Sequence, residues 1–231
     1  MPKHSKRYLE ARNLIEKGKS YSPDEALELV KKTATTKFTG SVEVHVRLGV
    51  NSKKSDQVVR ATIVFPNDIG KTRRVAAFVA ADKEKDAKDA GADVVGGEEL
   101  IAEIISKGVI DFDVAVATPD MMPKLAKLAK VLGPKGLMPN PKTDTVGTNV
   151  SKMVEDLKKG KVAYKNDDTG IVHQIIGKTA LEAGKLKENL QVLMDSIKKQ
   201  KPSSAKGTYF KSITLTTSMG PGIPVDTSYY S

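Results

Sequence analysis

Few side chains in this 231-residue chain could carry nucleophilic, acid-base or metal chemistry. Cysteine is absent, which excludes disulfides, thiol catalysis and thiolate-bound zinc. The three histidines, His4, His45 and His173, have no spacing typical of metal ligands. His45 has Glu43 two residues away and could act as an acid or a base, but we interpret it as a surface residue of a strand. We therefore expect no metal site.

The acidic and glycine-rich motifs also fail to predict an active site. Adjacent acidic residues occur at Glu98-Glu99 and Asp167-Asp168, where a helix start and a turn favour solvated structural positions. The run Gly133-Pro134-Lys135-Gly136 lacks the strand-to-helix setting of a phosphate-binding loop, and its proline removes an amide donor. No Gly-x-Gly-x-x-Gly motif follows the apolar segment Val75–Val79. We expect no cofactor and no enzyme activity, and the alternative is an RNA-modifying enzyme with a nucleotide-binding α/β domain.

Two predicted strands instead offer polar faces suited to RNA. Alternation over 42–48 puts valines and a leucine on one face and leaves Ser41, Glu43, His45 and Arg47 on the other. Lys37 and Phe38 come just before this strand. The final strand carries Ser212, Thr214 and Thr216 on one face and ends in Ser218-Met219-Gly220.

RNA minor grooves are wide and shallow and are recognised through 2′-hydroxyls and phosphates. Short hydroxyl side chains and a glycine that permits close backbone approach suit such a surface. From the sequence we expect Gly220→Val and Met219→Ala to weaken RNA binding while leaving thermal stability nearly unchanged. The alternative is a solvated sheet face with an ordinary hydrophobic Phe38.

Positive charge is concentrated at the two ends of the chain. Residues 1–68 carry 13 Lys/Arg against 8 Asp/Glu, and residues 161–231 carry 10 against 6, so their net charges are +5 and +4. Residues 69–160 carry 15 against 14, a net charge of +1. A basic patch on one fold is the electrostatic footprint of a polyphosphate partner. The distribution predicts one discontinuous basic domain, 1–68 with 161–231, interrupted by a nearly neutral domain, 69–160.

The hydrophobic periodicity predicts different architectures for these two domains. The terminal segments are predicted to form an α+β domain. Three helices are expected: one over 5–18, one that begins at a capping box formed by Ser22-Pro23-Asp24-Glu25, and one over 186–199. Strands are expected over 42–48, 57–65 and 209–217. A hairpin is expected from 161–165 and 170–176, and the tail is expected to be irregular. The middle segment alternates strands at 75–79, 92–95 and 113–117 with helices at 82–90, 98–106, 119–132 and 150–159, which predicts a parallel α/β sheet.

Composition narrows the class of protein further. No apolar run approaches the length of a membrane span, and the basic N-terminus has no apolar stretch behind it as a secretory signal would. Aromatic residues are 5% of the chain, which disfavours a single-strand binder built on many stacking platforms. We expect a cytoplasmic protein with no membrane partner that is a monomer when free.

The run from Leu132 to Lys142, Leu-Gly-Pro-Lys-Gly-Leu-Met-Pro-Asn-Pro-Lys, closely resembles the signature of a known family. It is similar to the family of universal ribosomal proteins in the large-subunit stalk that comes first in the large-subunit numbering. Within that family, it resembles the bacterial type. Lys37-Phe38 before Val42–His45, Gly170–His173 and Thr216–Pro221 also resemble that family, so the similarity spans nearly the whole chain. The resemblance implies a domain built from both chain ends and a Rossmann-like insertion.

The resemblance also implies partners and a site. The expected partners are large-subunit ribosomal RNA at the mobile stalk near the exit site, deacylated tRNA that leaves that site, and the protein's own messenger RNA, whose translation it would repress. Residues that match the family's RNA contacts are Lys37, Phe38, Ser41, Glu43, Asp167, Ser212, Ser218, Met219 and Gly220.

Two residues depart from the family pattern, and two glycines mark the crossings between the predicted domains. Asp168 lies where a basic or amide residue is common in the family, and Asp144 lies where glycine is usual. The chain crosses between the predicted domains near Gly70 and Gly160, and glycine tolerates wide dihedral change. We expect these two glycines to act as a hinge.

Overall fold

The structure is a computed structural model that describes residues 4–70, 73–158 and 160–230. Two compact units divide the chain: one comprises the chain up to Gly70 and from Ala163 onward, and the other runs from Lys71 to Val162. The sequence-based boundaries, after residues 68 and 160, lie within two residues of these.

The helices and strands follow the sequence in a regular order. The helices are α1 (Lys6–Asn13), α2 (Pro23–Thr33), α3 (Glu84–Asp89), α4 (Glu98–Lys107), α5 (Met122–Leu125), α6 (Ala129–Leu132), α7 (Val150–Lys158) and α8 (Ala183–Lys199). The strands are β1 (Ser41–Leu48), β2 (Arg60–Val64), β3 (Val75–Phe78), β4 (Val94–Gly96), β5 (Val114–Ala117), β6 (Lys161–Lys165), β7 (Ile171–Lys178), β8 (Phe210–Thr217) and β9 (Ile223–Val225). Short 3₁₀ turns lie at Ser55–Gln57, Ala81–Lys83, Pro119–Met121, Ala126–Leu128, Pro141–Thr143 and Thr227–Tyr229.

The first unit is built on an antiparallel sheet in the order β7-β1-β8-β9. Its inner face buries every second residue of β1, together with Val172, Ile213 and Leu215. Helices α2 and α8 pack against this sheet. The predicted capping box of α2 is confirmed, because Ser22 Oγ accepts from the Glu25 N–H and the Glu25 carboxylate accepts from the Ser22 N–H.

The second unit is the predicted parallel α/β layer structure. Its sheet has the order β4-β3-β5, and all its strands are parallel. Alternate residues of β3 are buried on opposite faces, since Phe78 packs with α4 and the segment 121–132 while Val75 and Ala77 pack with α3 and α7. The fold class predicted from the sequence, α+β together with parallel α/β, is therefore confirmed.

Several predicted elements differ from the observed ones. The segments 161–165 and 170–176 do not form a hairpin, because β6 pairs with β2 and only the bridge Asn166–Val172 joins it to β7. The cause lies at Asn166, whose N–H donates to Val59 O at 3.1 Å while its Oδ1 accepts from the Val59 N–H at 2.7 Å. These bonds direct β6 toward β2.

Four more elements differ from their predicted form. The tail is not irregular, since β9 pairs with β8 and Val225 bridges to Tyr21. The expected helix over 119–132 is broken into 3₁₀ and α turns, and Pro123 cannot donate to the preceding turn. The first helix ends at Asn13, and the strand expected over 57–65 spans only Arg60–Val64.

Candidate nucleic-acid interface

The outer face of the antiparallel sheet of the first unit is polar. Register places Ser212, Thr214 and Thr216 of β8 opposite Arg47, His45 and Glu43 of β1. The helices of this unit contact the sheet through its inner, apolar face, so the outer residues are exposed or half-buried. Two strands from opposite ends of the chain therefore present one continuous row of hydroxyl, imidazole and charged groups.

The start of β1 and the end of β8 are joined by Ser218. Its hydroxyl accepts from the Ser41 N–H at 3.3 Å and donates to the Glu43 carboxylate at 3.1 Å, while the Ser218 N–H donates to Ser41 O at 3.1 Å. Three of the predicted site residues are thus brought together. Because these bonds already use the Ser218 hydroxyl and one Glu43 oxygen, their geometry is fixed before any ligand arrives.

Two large apolar side chains are exposed beside this junction. Phe38, three residues before Ser41, is 59% exposed, and Met219, which directly follows Ser218, is 55% exposed. Lys37 is also exposed. Exposed apolar groups next to polar, preorganised ones are what packing on a ribose or a base requires, because such contacts need a flat apolar surface and a hydrogen-bonding rim.

Gly220 has a structural role of its own. Its N–H donates to Thr217 O at 2.9 Å, which closes the turn after β8. A Cβ added at Gly220 would lie 2.2 Å from Thr217 Oγ1, a side chain that is only 5% exposed. A side chain at Gly220 must therefore displace either the Thr217 hydroxyl or the turn, so we now expect Gly220→Val to lower thermal stability as well as RNA affinity.

Asp167 organises the turn that precedes β7. Its carboxylate accepts from the N–H groups of Thr169 and Ile171 at 2.9 and 2.7 Å and from the Thr169 hydroxyl. These bonds, first among them that from Ile171, lower the pKa of Asp167 to about 2. The neighbouring Asp168 accepts a hydrogen bond from the Ser52 hydroxyl through its backbone oxygen. This turn lies at the far end of the outer face from Ser218, so Asp167 is not part of the junction that Ser218 forms.

Sequence reasoning missed three members of the outer face. Lys178 Nζ donates to Ser41 Oγ at 2.9 Å, and the Arg7 guanidinium donates to Met219 O at 3.3 Å. His173 lies directly opposite His45 in the β1–β7 pair, with 2.8 Å between the two Nδ1 atoms. Antiparallel register, and not sequence spacing, brings these two histidines together. Alternation along 171–178 could have placed His173 on the outer face, but not its partner.

The predicted hinge glycines both have left-handed backbone. Gly70 has φ +68° and Gly160 has φ +96°. A Cβ at Gly160 would meet nothing within 4 Å, whereas one at Gly70 would lie 2.8 Å from the flexible Lys178 side chain. Positive φ explains why glycine is needed at both places.

The second unit has a cavity at the carboxyl ends of its parallel strands. It measures about 540 Å³ and is lined by Glu84, Glu98, Glu99, Glu103 and Lys124, with apolar residues between them. Lys124 is paired with Glu98 at 2.5 Å. Because four carboxylates line this cavity against one ammonium group, it repels the phosphates of a nucleotide. The glycine- and proline-rich run that follows α6 contributes Leu137 and Met138 to the adjoining core.

The described residues contain no group of three or more His, Asp or Glu side chains arranged to hold a metal ion. None of their helices is both long enough and apolar enough to cross a membrane.

Comparison with known proteins gives a consistent result. Residues 30–221 match the family described as "Ribosomal protein L1p/L10e family". The chain is 52% identical over 228 residues to the large ribosomal subunit protein uL1 of Macrococcus caseolyticus, which covers 99% of this chain and 98% of that protein. It is 49% identical over 228 residues to the protein of the same name from Chloroflexus aurantiacus, which covers 98% and 96%.

Proposed function

Because this chain belongs to the ribosomal protein L1p/L10e family, we propose that it is a component of the large ribosomal subunit that binds ribosomal RNA at the mobile stalk near the exit site. The binding surface is the outer face of the first unit, with Lys37, Phe38, Ser41, Glu43 and the end of β8 at its centre. In this function the protein assists release of deacylated tRNA. It also represses translation of its own messenger RNA through a similar RNA structure.

One observation carries the proposal. Exposed Phe38 and Met219 flank a junction in which Ser41, Ser218 and Glu43 hold one another in place. A ligand that packs on the apolar groups meets polar groups whose positions are already fixed, so little ordering entropy is lost on binding. The net charge of +9 on residues 1–68 and 161–231 favours a polyanion.

We expect the same surface to prefer RNA over DNA. Ser212, Thr214 and Thr216 form a row of short hydroxyl side chains along β8, and their small size lets a sugar edge come close. The 2′-hydroxyl both donates and accepts a hydrogen bond, and it is the group that distinguishes RNA from DNA at a given site. We therefore expect a DNA duplex of the same sequence to bind much more weakly.

Filter binding with overlapping fragments of large-subunit ribosomal RNA tests the proposal directly. One fragment should bind far more tightly than the others, and Met219→Ala should weaken that binding at least tenfold, or about 1.4 kcal/mol. Val109, an apolar residue of the second unit that is 65% exposed, provides the matched control, and Val109→Ala should have little effect. Equal binding of all fragments, or equal effects of the two substitutions, would overturn the proposed site.

Salt dependence separates this function from that of a general nucleic-acid chaperone. Each neutralised phosphate releases counterions and adds roughly 0.7–0.9 to the slope of log affinity against log salt. Since the surface is rich in hydroxyls and apolar contacts, we expect a slope that corresponds to only a few phosphates. A steep slope, with similar affinity for DNA, would favour the chaperone.

A further inference from the structure

The facing imidazoles of His45 and His173 are not used by the proposed junction. Their Nδ1 atoms are 2.8 Å apart and their ring centroids 4.9 Å apart, so the two nitrogens point nearly straight at each other. This is the geometry of a single N–H···N hydrogen bond. One Nδ1 must therefore donate and the other must accept.

The surrounding carboxylates decide which ring is the donor. His173 Nε2 lies 3.4 Å from Asp167 Oδ2, within hydrogen-bonding distance of an acceptor that cannot donate. His173 is therefore protonated at Nε2, and in the neutral ring its Nδ1 accepts. His45 must then donate through Nδ1, which leaves His45 Nε2 without a proton. The distance from His45 Nε2 to Glu43 Oε2 is 3.9 Å, too long for a hydrogen bond, as this assignment requires.

We propose that Asp167, His173 and His45 form a relay that holds His45 Nε2 as a hydrogen-bond acceptor on the outer face, where it accepts from a ribose 2′-hydroxyl or a base amino group of the bound RNA. The inference rests on the proposed function, and it assigns His45 to that site as a further contact. His173 and Asp167 are positioning residues that act through the tautomer of His45. Through this relay Asp167 contributes to RNA binding, although Asp167 lies far from Ser218.

The groups around His45 make this contact sensitive to acid. On β1 its neighbours on the same face are Glu43 and Arg47. On β7 it faces His173, which in turn contacts Asp167 of the preceding turn, and on β8 it faces the neutral Thr214. Burial lowers the pKa of His45 below its usual 6.5, and so does the positive charge that His173 gains whenever it is protonated. Both effects favour the neutral, accepting form of His45. When acid protonates its Nε2, the acceptor becomes a donor that faces Glu43.

The tautomer can be measured in the free full-length protein. Long-range ¹H–¹⁵N NMR of the imidazoles at pH 7.5 should show His45 protonated at Nδ1 and His173 protonated at Nε2. Asp167→Asn should weaken this preference, because its amide can also donate toward His173. Protonation of His45 at Nε2 in the wild type would overturn the relay, whatever the protein binds.

RNA affinity for the tightest-binding ribosomal fragment tests the contact itself. We expect His45→Leu to weaken binding about fivefold, in line with the loss of one hydrogen bond, and His45→Gln to weaken it less than about twofold because its amide oxygen can replace Nε2. His173→Leu should weaken binding in the wild-type background and have no effect in the His45→Leu background. Gln191→Leu, an exposed position on α8, provides the control.

The pH profile gives a second, independent measure. The ratio of wild-type to His45→Leu affinity should be constant above pH 7 and should fall toward one as acid protonates His45 below pH 6.5, because protonation removes the acceptor. Because the same RNA is used with both proteins at each pH, the effect of RNA titration on affinity cancels in this ratio. If Met219→Ala weakens binding but His45→Leu does not, or if the ratio is independent of pH, the relay is wrong and the proposed function stands. If neither substitution weakens binding, the proposed RNA surface itself is wrong.

Discussion

Asp144 is the one described residue other than glycine with a left-handed backbone, at φ +49°. The family resemblance leads us to expect glycine there, and the structure shows what aspartate adds. The Asp144 carboxylate pairs with Lys161 Nζ at 3.0 Å, and the Lys161 side chain is only 15% exposed. The ion pair offsets part of the conformational cost that a side chain imposes at positive φ.

Two substitutions separate these effects. Asp144→Gly and Asp144→Ala both remove the ion pair, but only alanine keeps a Cβ at positive φ. We expect Asp144→Ala to be less stable than Asp144→Gly by about 1 kcal/mol in urea unfolding. Equal stabilities would show that the backbone at residue 144 relaxes to negative φ.

Asp167 should make the first unit sensitive to strong acid. Its pKa in the folded protein, about 2, lies below the usual 3.8, so the unfolded chain binds the proton first. The stability from this carboxylate is present above about pH 4 and is lost as the pH falls toward 2. Asp167→Asn should be less stable than the wild type at pH 6, and its free energy of unfolding should fall less steeply between pH 4 and 2. A variant with an unchanged slope in that window would contradict the assignment.

At the level of elements, α8 is tied to the sheet by a buried amide. Asn189 is fully buried, and its Nδ2 donates to Ile176 O at 2.7 Å and to Asn67 O at 3.1 Å while its Oδ1 accepts from the Asn67 N–H. One side chain therefore joins α8, β7 and the segment after β2. Each of those backbone groups would lose its partner if the amide were removed.

Asn189→Ala should accordingly be strongly destabilising. Buried polar groups left without partners cost about 1–3 kcal/mol, and the cavity adds to this. The exposed neighbour Gln191 provides the comparison, and Gln191→Ala should change the free energy of unfolding by less than about 0.5 kcal/mol. Similar losses at the two positions would show that water replaces the amide of Asn189.

The elements also show how far the sequence alone could predict this molecule. Alternation over 42–48 predicted β1 and its outer face correctly, because a strand with one buried face and one exposed face alternates apolar and polar residues. The pairing of β6 with β2 was missed, since it depends on Asn166 meeting Val59 across 107 residues. The His45–His173 contact was missed for the same reason. At the candidate site the residue types were predictable, but the hydrogen bonds that fix Ser218 against Glu43 required the fold.

At the scale of the whole molecule, the unit made from both chain ends should be independent of the insertion. We expect residues 1–68 joined to 161–231 by a short flexible linker to fold cooperatively and to bind the same ribosomal RNA fragment within about threefold of the full chain, because β1, β7, β8 and β9 all lie outside the insertion. Circular dichroism melting and filter binding would measure this. An unfolded product, or a folded one without RNA affinity, would refute the discontinuous domain.

The two crossings should act as the hinge between the units. Proline cannot adopt the positive φ of Gly70 or Gly160, so stiffening them with proline would unfold the chain locally. A distance measurement is the better test. Because the chain contains no cysteine, single cysteines at exposed Ser203 and Lys130 can be labelled uniquely, and energy transfer between the dyes should show a broad distribution of distances that narrows on RNA binding. One narrow distribution in the free protein would contradict the hinge.

The central strand of the first unit also sets an order of events during synthesis. β1 emerges early, but both of its partners, β7 and β8, are made only after the insertion is complete. At roughly 5–20 residues per second, β1 waits about 10–30 s for β8 with its edges unpaired, while the second unit can already have folded. An unpaired apolar strand is an aggregation hazard, and charges along it oppose wrong pairing. We therefore expect Glu43 and Arg47 to oppose wrong pairing of β1 in the nascent chain, and the junction of Ser41, Glu43 and Ser218 can form only after β8 has been made.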